Sequence, residues 1–345
     1  MKFVILYLIA FASAFATTLV ALPAWRKWCL RTGLVDDPGH RKIHSEPMPL
    51  AGGLAVMTGL LIPTAFALAV VLIQHGCELV LQHWISPAAQ FWIRHSPLDA
   101  DLTGRLIHGL QWRKWELTAI LFGALGMLFV GVLDDKHELS PKVKFAAQTL
   151  VALIVAASGA RITLFIPSVI FSYAVTVLWI LTVINAFNFM DNMNGLCGGL
   201  GAIGAFYFAT VSGAAGQYLV ALIAALTCGA LVGFLPYNFP RAKSFLGDAG
   251  SHLIGYLLAV LAILPHFHTK KDPHAWAVLS PLLILAVPLG DMAWVVLLRT
   301  RMGKPFWIGD TNHLSHRLVR RGFSKAKAVI LIWLLALLLG APTVF

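Results

Sequence analysis

Charged residues are scarce in this chain. Asp, Glu, Lys and Arg make up 12% of its 345 residues, whereas hydrophobic residues make up 59% and the mean hydropathy is +0.79. An ordinary soluble domain carries about 25% charged residues, so this composition excludes that class and predicts that lipid surrounds most of the chain. Because one bilayer span needs about 20 apolar residues, roughly ten spans would leave no room for a separate soluble domain.

Cysteines are few and scattered. The four are Cys29, Cys77, Cys197 and Cys228, and none lies in a CxxC or CxxH pattern. That spacing argues against a zinc site built from thiolates. We expect the cysteines to be small buried residues.

Ten apolar runs have the length of a membrane span. They predict helices near 3–22, 51–73, 117–133, 145–159, 163–187, 195–212, 217–236, 246–264, 275–298 and 326–344. The predicted fold is an all-α integral membrane protein of about ten transmembrane helices, with residues 1–345 forming a single polytopic domain.

The distribution of basic residues predicts the orientation. If both termini lie outside, 18 of the 26 Lys and Arg fall in inside loops or helix ends and 8 fall outside. This positive-inside bias accounts for the net charge of +11 without a nucleic-acid partner. One outside loop, about 75–116, is a long insertion in which the spacing of LTGRLIHGLQWRKW predicts an interfacial helix.

The first polar motif is GVLDDKHELSPKVKF, which carries Asp134, Asp135, Lys142 and Lys144. Adjacent carboxylates repel each other, and a nearby cation or metal keeps both ionised. The alternative is a charged helix end that stops at the interface.

The second motif is NAFNFMDNMNGL, which places Asn185, Asn188, Asp191 and Asn194 at steps of three. Neighbouring members share a helix face, and one carboxylate among amide oxygens suits Mg²⁺. Packing between helices through polar residues is the alternative.

The third motif is GFLPYNFPRAKSFLGDAGSHLIG, in which Gly247, Asp248, Gly250 and Ser251 open a helix. A helix N-terminus attracts phosphate, and Asp248 could hold a metal there. An ordinary N-cap aspartate would look similar.

Two further inside loops are basic. The loop at 299–327 contains Asp310, His313, Ser315, His316 and Arg317, a set that favours a diphosphate. A positive-inside loop with incidental histidines is the alternative, and a zinc site would need a third ligand of the usual kind. The first inside loop carries Arg41, Lys42 and His44, which could contact substrate or serve as topological anchors.

The motifs RKIHSEPMPLAGG, GVLDDKHELSPKVK, NAFNFMDNMNGL, NFPRAKSFLGDAGS and DTNHLSHRL resemble, in order, those of the polyprenyl-phosphate N-acetylhexosamine-1-phosphate transferases of glycosyltransferase family 4. That family includes the phospho-MurNAc-pentapeptide translocase and the enzymes that initiate O-antigen, enterobacterial common antigen and teichoic acid synthesis. The resemblance implies an enzyme of the bacterial inner membrane with its active site on the cytoplasmic face. Its partners would be a UDP-N-acetylhexosamine and undecaprenyl phosphate, its products a polyprenyl-diphospho-sugar and UMP, and its cofactor Mg²⁺, with Mn²⁺ as the alternative.

The resemblance also implies roles for residues. Asp134 and Asp135 match an aspartate pair that acts on the lipid phosphate or helps to hold the metal, and Asp248 matches a catalytic aspartate that binds magnesium together with Asp191. The implied substrate-binding residues are Lys42, Lys142, Lys144, Asn188, Asn194, Asn238, Gly247, His313, His316 and Arg317.

Two positions depart from the family pattern. Asn194 stands where a second aspartate is usual, which puts a metal or base role there in doubt, and Ser315 stands where many members carry histidine. The serine argues against the muropeptide branch, although a muropeptide donor stays an alternative. A homodimer is a further possibility for the assembly of the protein. A transporter or lipid flippase is the alternative from another class, but its polar residues would line a path near the midplane.

Overall fold

The computed structural model describes residues 2–37, 46–81, 100–164, 166–265, 278–305 and 311–344. The regular elements in these segments are helices, apart from two short strands that pair antiparallel, Val35 with Pro49 and Asp36 with Met48. The elements are α1 (Lys2–Thr32), β1 (Val35–Asp36), β2 (Met48–Pro49), α2 (Gly52–Leu81), α3 (Ala100–Trp112), α4 (Lys114–His137), α5 (Pro141–Ala157), α6 (Val169–Met190), α7 (Leu196–Ala214), α8 (Tyr218–Phe234), α9 (Gly247–Ile263), α10 (Ser280–Ile284), α11 (Ala286–Arg301), α12 (Leu314–Arg320) and α13 (Lys325–Gly340).

Within the described residues, seven helices are long and apolar enough to cross a membrane. They are Phe3–Thr32, Gly52–Ile73, Lys114–His137, Val169–Met190, Leu196–Ala214, Tyr218–Tyr237 and Lys325–Thr343. The other three predicted spans coincide with α5 and α9, which have 17 residues each, and with a pair of helices, α10 and α11. The chain is therefore an all-α, multi-pass membrane protein.

Proline explains two differences from the predicted boundaries. The helix expected to begin near residue 163 begins at Val169, after Pro167, with the Ser168 hydroxyl accepting a hydrogen bond from the Phe171 N–H at 3.3 Å. The run expected over 275–298 is interrupted at Leu285. Pro288 cannot donate to the carbonyl four residues earlier, and its ring crowds that carbonyl.

The predicted insertion at about 75–116 is partly helical. α2 continues to Leu81, and α3 forms where an interfacial helix is expected. The Trp112 and Trp115 side chains at its end are largely exposed. Residues 82–99 lie outside the part that the structure describes.

The core is centred on α9. Every residue from Ala249 to Ala262 in this helix is buried, because α2, α4, α6 and α7 all pack against it. A helix that is apolar on all sides belongs in the centre of a bundle. Its N-terminus, at Gly247 and Asp248, opens at one end of that bundle.

The helix ends meet at that same end, which we call the polar end: the C-terminal ends of α1, α4, α6 and α8 and the N-terminal ends of α2, α5, α7 and α9. The loop before α9 lies against α1 and α2 there. The Arg26 Nε donates to the Lys243 carbonyl at 2.8 Å, and the Gly52 N–H donates to the Phe245 carbonyl at 2.9 Å. Residues from distant parts of the sequence are thereby brought together.

Candidate active site

The two adjacent aspartates at the end of α4 have different partners. Asp134 is buried, accepts a hydrogen bond from the Leu139 N–H at 2.9 Å and forms an ion pair with Lys144 of α5. Asp135 instead accepts from the backbone N–H groups of Asp248 at 2.7 Å and Ala249 at 3.1 Å. Asp135 therefore caps the N-terminus of α9, while Asp134 faces the lysine.

Glycine permits this close approach. Gly247 has a positive φ of 68°, and a Cβ atom there would collide with the Asp135 carboxylate. A Cβ atom on Gly131 of α4 would overlap the Ala249 backbone of α9. The absence of side chains at these positions lets α4 and α9 pack closely enough for the capping bonds to form.

Asp248 is the point where four helices meet. One of its oxygens accepts from the Asn188 amide of α6 at 2.7 Å, and the other lies 3.3 Å from the Lys144 ammonium. Asn188 also donates to the Ser251 hydroxyl at 3.0 Å. Of the residues predicted from separate motifs, the structure thus places Asp134, Lys144, Asn188 and Asp248 in one hydrogen-bonded group.

Asp191 follows the last turn of α6, where its N–H donates to the Asn188 carbonyl at 3.2 Å. Desolvation by neighbouring protein atoms, followed by the Asp248 and Asp135 carboxylates, raises the pKa of Asp191. The three carboxylates therefore influence one another. A divalent cation would relieve that repulsion, and carboxylate oxygens such as those of Asp191 and Asp248 are ligands that Mg²⁺ and Mn²⁺ take. The ligand atoms that lie within 4.8 Å of one another among the described residues belong to Asp134, Asp248 and His252, and Asp191 is not in that group.

His252 is a member of the site that the sequence reasoning missed. It lies one turn after Asp248 in α9, and ligand atoms of Asp134, Asp248 and His252 lie within 4.8 Å of one another. Its buried Nδ1 has no hydrogen-bond partner among the described residues. The signal was the Asp-x-x-x-His spacing, which puts both side chains on one helix face. The Lys144 ammonium contacts both Asp134 and Asp248.

The histidine segment lies against the loop after α6. The His313 Nδ1 lies 2.6 Å from the Asp291 carboxylate of α11, whose other oxygen accepts from the Leu314 N–H at 2.6 Å. The Ser315 hydroxyl donates to the Asn192 side-chain oxygen at 2.7 Å. Sequence reasoning missed Asp291, although an acid inside an apolar helix is itself a signal.

The rest of this segment is less enclosed. Partial burial lowers the pKa of His316, and the neighbouring His313, Arg320 and Lys325 lower it further. A neutral imidazole is therefore expected at pH 7. The Arg317 guanidinium lies 5.1 Å from the centre of the Trp294 ring, which holds it at the surface of α11.

Asn238 and Asn194 join loops. The buried Asn238 side chain accepts from the Gly195 N–H at 2.6 Å and donates to the Ser244 carbonyl at 2.9 Å. Asn194 donates to the Pro240 carbonyl at 3.4 Å. Both side chains connect the loop after α6 to the loop after α8, so their contacts here are with protein backbone.

The remaining predicted residues stand apart. Lys142 is exposed at the start of α5. Lys42, with Arg41 and His44, lies outside the described residues, as do Asp310 and the side chain of Cys77. The three described cysteines, Cys29, Cys197 and Cys228, are free and buried, as expected.

The chain resembles known proteins over nearly its whole length. The sequence profile described as "Glycosyl transferase family 4" matches residues 117–266, a region that contains Asp134, Asp191 and Asp248. A "Probable undecaprenyl-phosphate N-acetylglucosaminyl 1-phosphate transferase" of Bacillus subtilis (strain 168) is 29% identical over 344 residues, covering 97% of this chain and 84% of the relative.

Two further relatives carry similar names. The "Decaprenyl-phosphate N-acetylglucosaminephosphotransferase" of Mycolicibacterium smegmatis (strain ATCC 700084 / mc(2)155) is 30% identical over 339 residues, covering 90% of this chain and 74% of the relative. The "Undecaprenyl-phosphate alpha-N-acetylglucosaminyl 1-phosphate transferase" of Escherichia coli (strain K12) is 28% identical over 345 residues, covering 95% of this chain and 81% of the relative.

Proposed function

The chain belongs to glycosyl transferase family 4, and from this premise we propose that it is an enzyme that transfers a sugar 1-phosphate to a polyprenyl phosphate. The proposed donor is UDP-N-acetylglucosamine and the proposed acceptor is undecaprenyl phosphate. The products are then a polyprenyl-diphospho-sugar and UMP, and the reaction begins the synthesis of a cell-envelope glycan.

One observation carries this proposal: residues from α4, α5, α6 and α9 form a single hydrogen-bonded group at the polar end. The Asn188 amide donates to the Asp248 carboxylate at 2.7 Å. The Lys144 ammonium lies 3.3 Å from the same carboxylate and also pairs with Asp134. Carboxylates for a cation and a lysine for phosphate are the parts that phosphoryl transfer needs. A body made of apolar helices suits a lipid acceptor.

The acceptor oxygen is already a nucleophile. A phosphate monoester has a second pKa of about 6, so most of the lipid phosphate is fully ionised at neutral pH and no strong base is required. Lys144 holds the acceptor phosphate by charge-assisted hydrogen bonds, and Asp134 orients that lysine. The oxygen then attacks the sugar-linked phosphorus in a single step, with transfer through an enzyme-bound intermediate as the alternative.

The donor diphosphate lies beside Asp248 and Asp191. A bound Mg²⁺, or alternatively Mn²⁺, would neutralise charge on the diphosphate as UMP leaves. Asn188 fixes the orientation of the Asp248 carboxylate. His313, His316 and Arg317 supply hydrogen bonds to the phosphates from the other side.

The polar end faces the cytoplasm in this proposal. Arg26, Lys136, Lys144 and Lys243 all belong to helix ends or loops on that side, as the positive-inside rule requires. The α5, α9 and α10–α11 segments then cross the bilayer with the seven longer helices. The protein has ten spans, both termini outside, and lies in the bacterial inner membrane.

A transporter is the alternative from another class. Its substrate groups would lie near the bilayer midplane, whereas the group around Asp248 lies at helix ends. Among transferases, a phospho-MurNAc-pentapeptide donor is the alternative, and Ser315 in the histidine motif argues against it.

Membranes that contain the protein should be incubated with radiolabelled UDP-N-acetylglucosamine, undecaprenyl phosphate and Mg²⁺. We expect equal amounts of UMP and labelled lipid. Parallel reactions with UDP-N-acetylgalactosamine and UDP-MurNAc-pentapeptide identify the donor. If no UDP-sugar yields UMP or labelled lipid, the transferase proposal fails and transport becomes the better explanation.

A further inference from the structure

Asp291 is enclosed in the bundle at a position where a carboxylate is costly. It lies in the apolar helix α11, its residue is 6% exposed, and His313 beside it is 5% exposed. A buried acid in a membrane protein needs a partner or a task. Both of its oxygens are engaged, one by the His313 Nδ1 and one by the Leu314 N–H, each at 2.6 Å.

These contacts fix the position of the imidazole and turn its Nδ1 atom toward the carboxylate. Because the same carboxylate accepts from the Leu314 N–H, we take it as the acceptor for the ring as well, which places the shared hydrogen on the His313 Nδ1. The Phe189 ring meets the imidazole edge to face, with the ring centres 5.7 Å apart. The Nε2 atom is consequently the one left to bind another group, as in other histidines that are oriented by a carboxylate.

The same segment is tied to the donor side of the site. Ser315, two residues after His313, donates to Asn192, which directly follows Asp191. Phe189 directly precedes Met190 at the end of α6. The imidazole is thus held beside the loop that carries the Asp191 carboxylate.

We infer that Asp291 is a positioning residue for the transfer reaction: it accepts from the His313 Nδ1–H and so directs the other ring nitrogen, as the Nε2–H of an imidazolium, toward a phosphate oxygen of the donor diphosphate. The inference rests on the proposed function. Asp291 itself does not touch substrate. Its contribution is to restrict the ring to one orientation and to stabilise positive charge when the Nε2 atom takes a proton or a hydrogen bond.

The Asp291→Asn variant separates positioning from structural support. Its side-chain oxygen can still accept from the Leu314 N–H, while its amide donates to the His313 Nδ1, so the ring stays neutral and loses the positive charge that favours a phosphate. We expect a folded protein whose kcat falls about 10- to 100-fold, with less than a threefold change in KM for undecaprenyl phosphate. A wild-type kcat in this variant would show that Asp291 has only a structural role and would overturn the inference.

The tautomer can be measured without turnover. Protein with ¹⁵N-labelled histidine is reconstituted in nanodiscs, and the His313 signals are assigned by comparison with His313→Gln. We expect the wild-type protein to carry hydrogen on Nδ1; a ring with hydrogen on Nε2 and a bare Nδ1 would overturn the inference even if Asp291→Asn fails to fold.

Thr58→Val is the matched control, because it removes a polar contact between helices, the Trp25 Nε1 bond to Thr58 at 2.9 Å, far from His313 in the sequence. It should change neither kcat nor the His313 signals. If the wild-type protein carries hydrogen on the His313 Nδ1 but transfers no sugar phosphate from any UDP-sugar, the proposed function is contradicted, whereas the pairing of Asp291 with His313 is not.

Discussion

At the scale of single residues, the adjacent aspartates are chemically identical but structurally distinct. Both oxygens of Asp135 accept from the backbone of α9, whereas Asp134 pairs with Lys144, which also contacts Asp248. A sequence motif of two acids therefore divides into a helix cap and a charge partner. Their substitution should have different consequences.

Asp248→Asn should abolish turnover and leave the fold intact. The amide keeps the shape of the side chain but removes the charge that we propose holds a divalent cation, so we expect at least about a 100-fold loss of kcat. UMP release and thermal unfolding in detergent measure the two effects.

Glu138→Gln is the control for this charge change. Glu138 is exposed at the end of α4, and its substitution should leave turnover within twofold. Full activity of Asp248→Asn would remove this residue from the metal site.

Asp134 and Lys144 should be energetically coupled. Lys144→Met leaves a buried carboxylate without its partner and should lower thermal stability, while addition of Asp134→Asn should restore part of it. Directly contacting residues show coupling of about 0.5–3 kcal/mol. Unfolding of the two single variants and the double variant measures the coupling, and strictly additive effects would rule out the ion pair as a stabilising contact.

At the scale of helices, close packing decides the site geometry. Small residues let transmembrane helices approach closely. A Cβ atom on Gly53 of α2 would collide with the Ala249–Gly250 backbone of α9, and one on Gly255 of α9 would collide with the Ile184 backbone of α6. α9 is therefore fixed against both neighbours near the turns that carry Asp248 and Asn188.

Gly131→Ala should disturb the site without touching any polar group. The new methyl group overlaps the Ala249 backbone, which must move α9 and the capping bonds of Asp135. We expect a loss of about 1–3 kcal/mol in stability and a clear loss of turnover.

Gly126→Ala on the same helix is the comparison for this change. The nearest atom to its added methyl group would be the Val151 Cγ2 at 3.4 Å, so the stability and the turnover of this variant should stay near wild type. Equal behaviour of the two variants would mean that the α4–α9 contact does not set the site geometry.

The positions of these helices can be predicted from the sequence, because the length of an apolar run depends only on neighbouring residues. Nine of the ten runs overlap one described α-helix each, the run at 275–298 overlaps two, and the motifs carrying Asp134, Lys144, Asn188 and Asp248 meet. Contacts between side chains that are distant in the sequence could not be predicted in the same way. The pairing of Asp291 with His313 joins residues 22 apart, one within α11 and the other directly before α12, and nothing local in the sequence specifies it. The division between Asp134 and Asp135 likewise depends on where α9 begins.

At the scale of the whole molecule, the proposed orientation rests on the basic residues at the polar end. Cysteine labelling in intact cells tests it. An Ala215→Cys variant, exposed in the α7–α8 loop at the opposite end, should react with an impermeant maleimide.

A Glu138→Cys variant should react only after the cells are lysed. The described native cysteines are buried and should give little background, which the protein without added cysteine measures. Labelling of Glu138→Cys in intact cells would place the polar end outside.

The central claim is that Asp191 and Asp248, which lie far apart in sequence, hold one divalent ion against the donor diphosphate. The most direct measurement is pulsed electron paramagnetic resonance of Mn²⁺ bound to the purified protein with UDP-N-acetylglucosamine. The account predicts ³¹P coupling to the ion in the wild-type protein and in Glu138→Gln, with Mn²⁺ affinity reduced about 10- to 100-fold in Asp191→Asn and Asp248→Asn. Equal Mn²⁺ affinity and unchanged ³¹P coupling in all four proteins would contradict it.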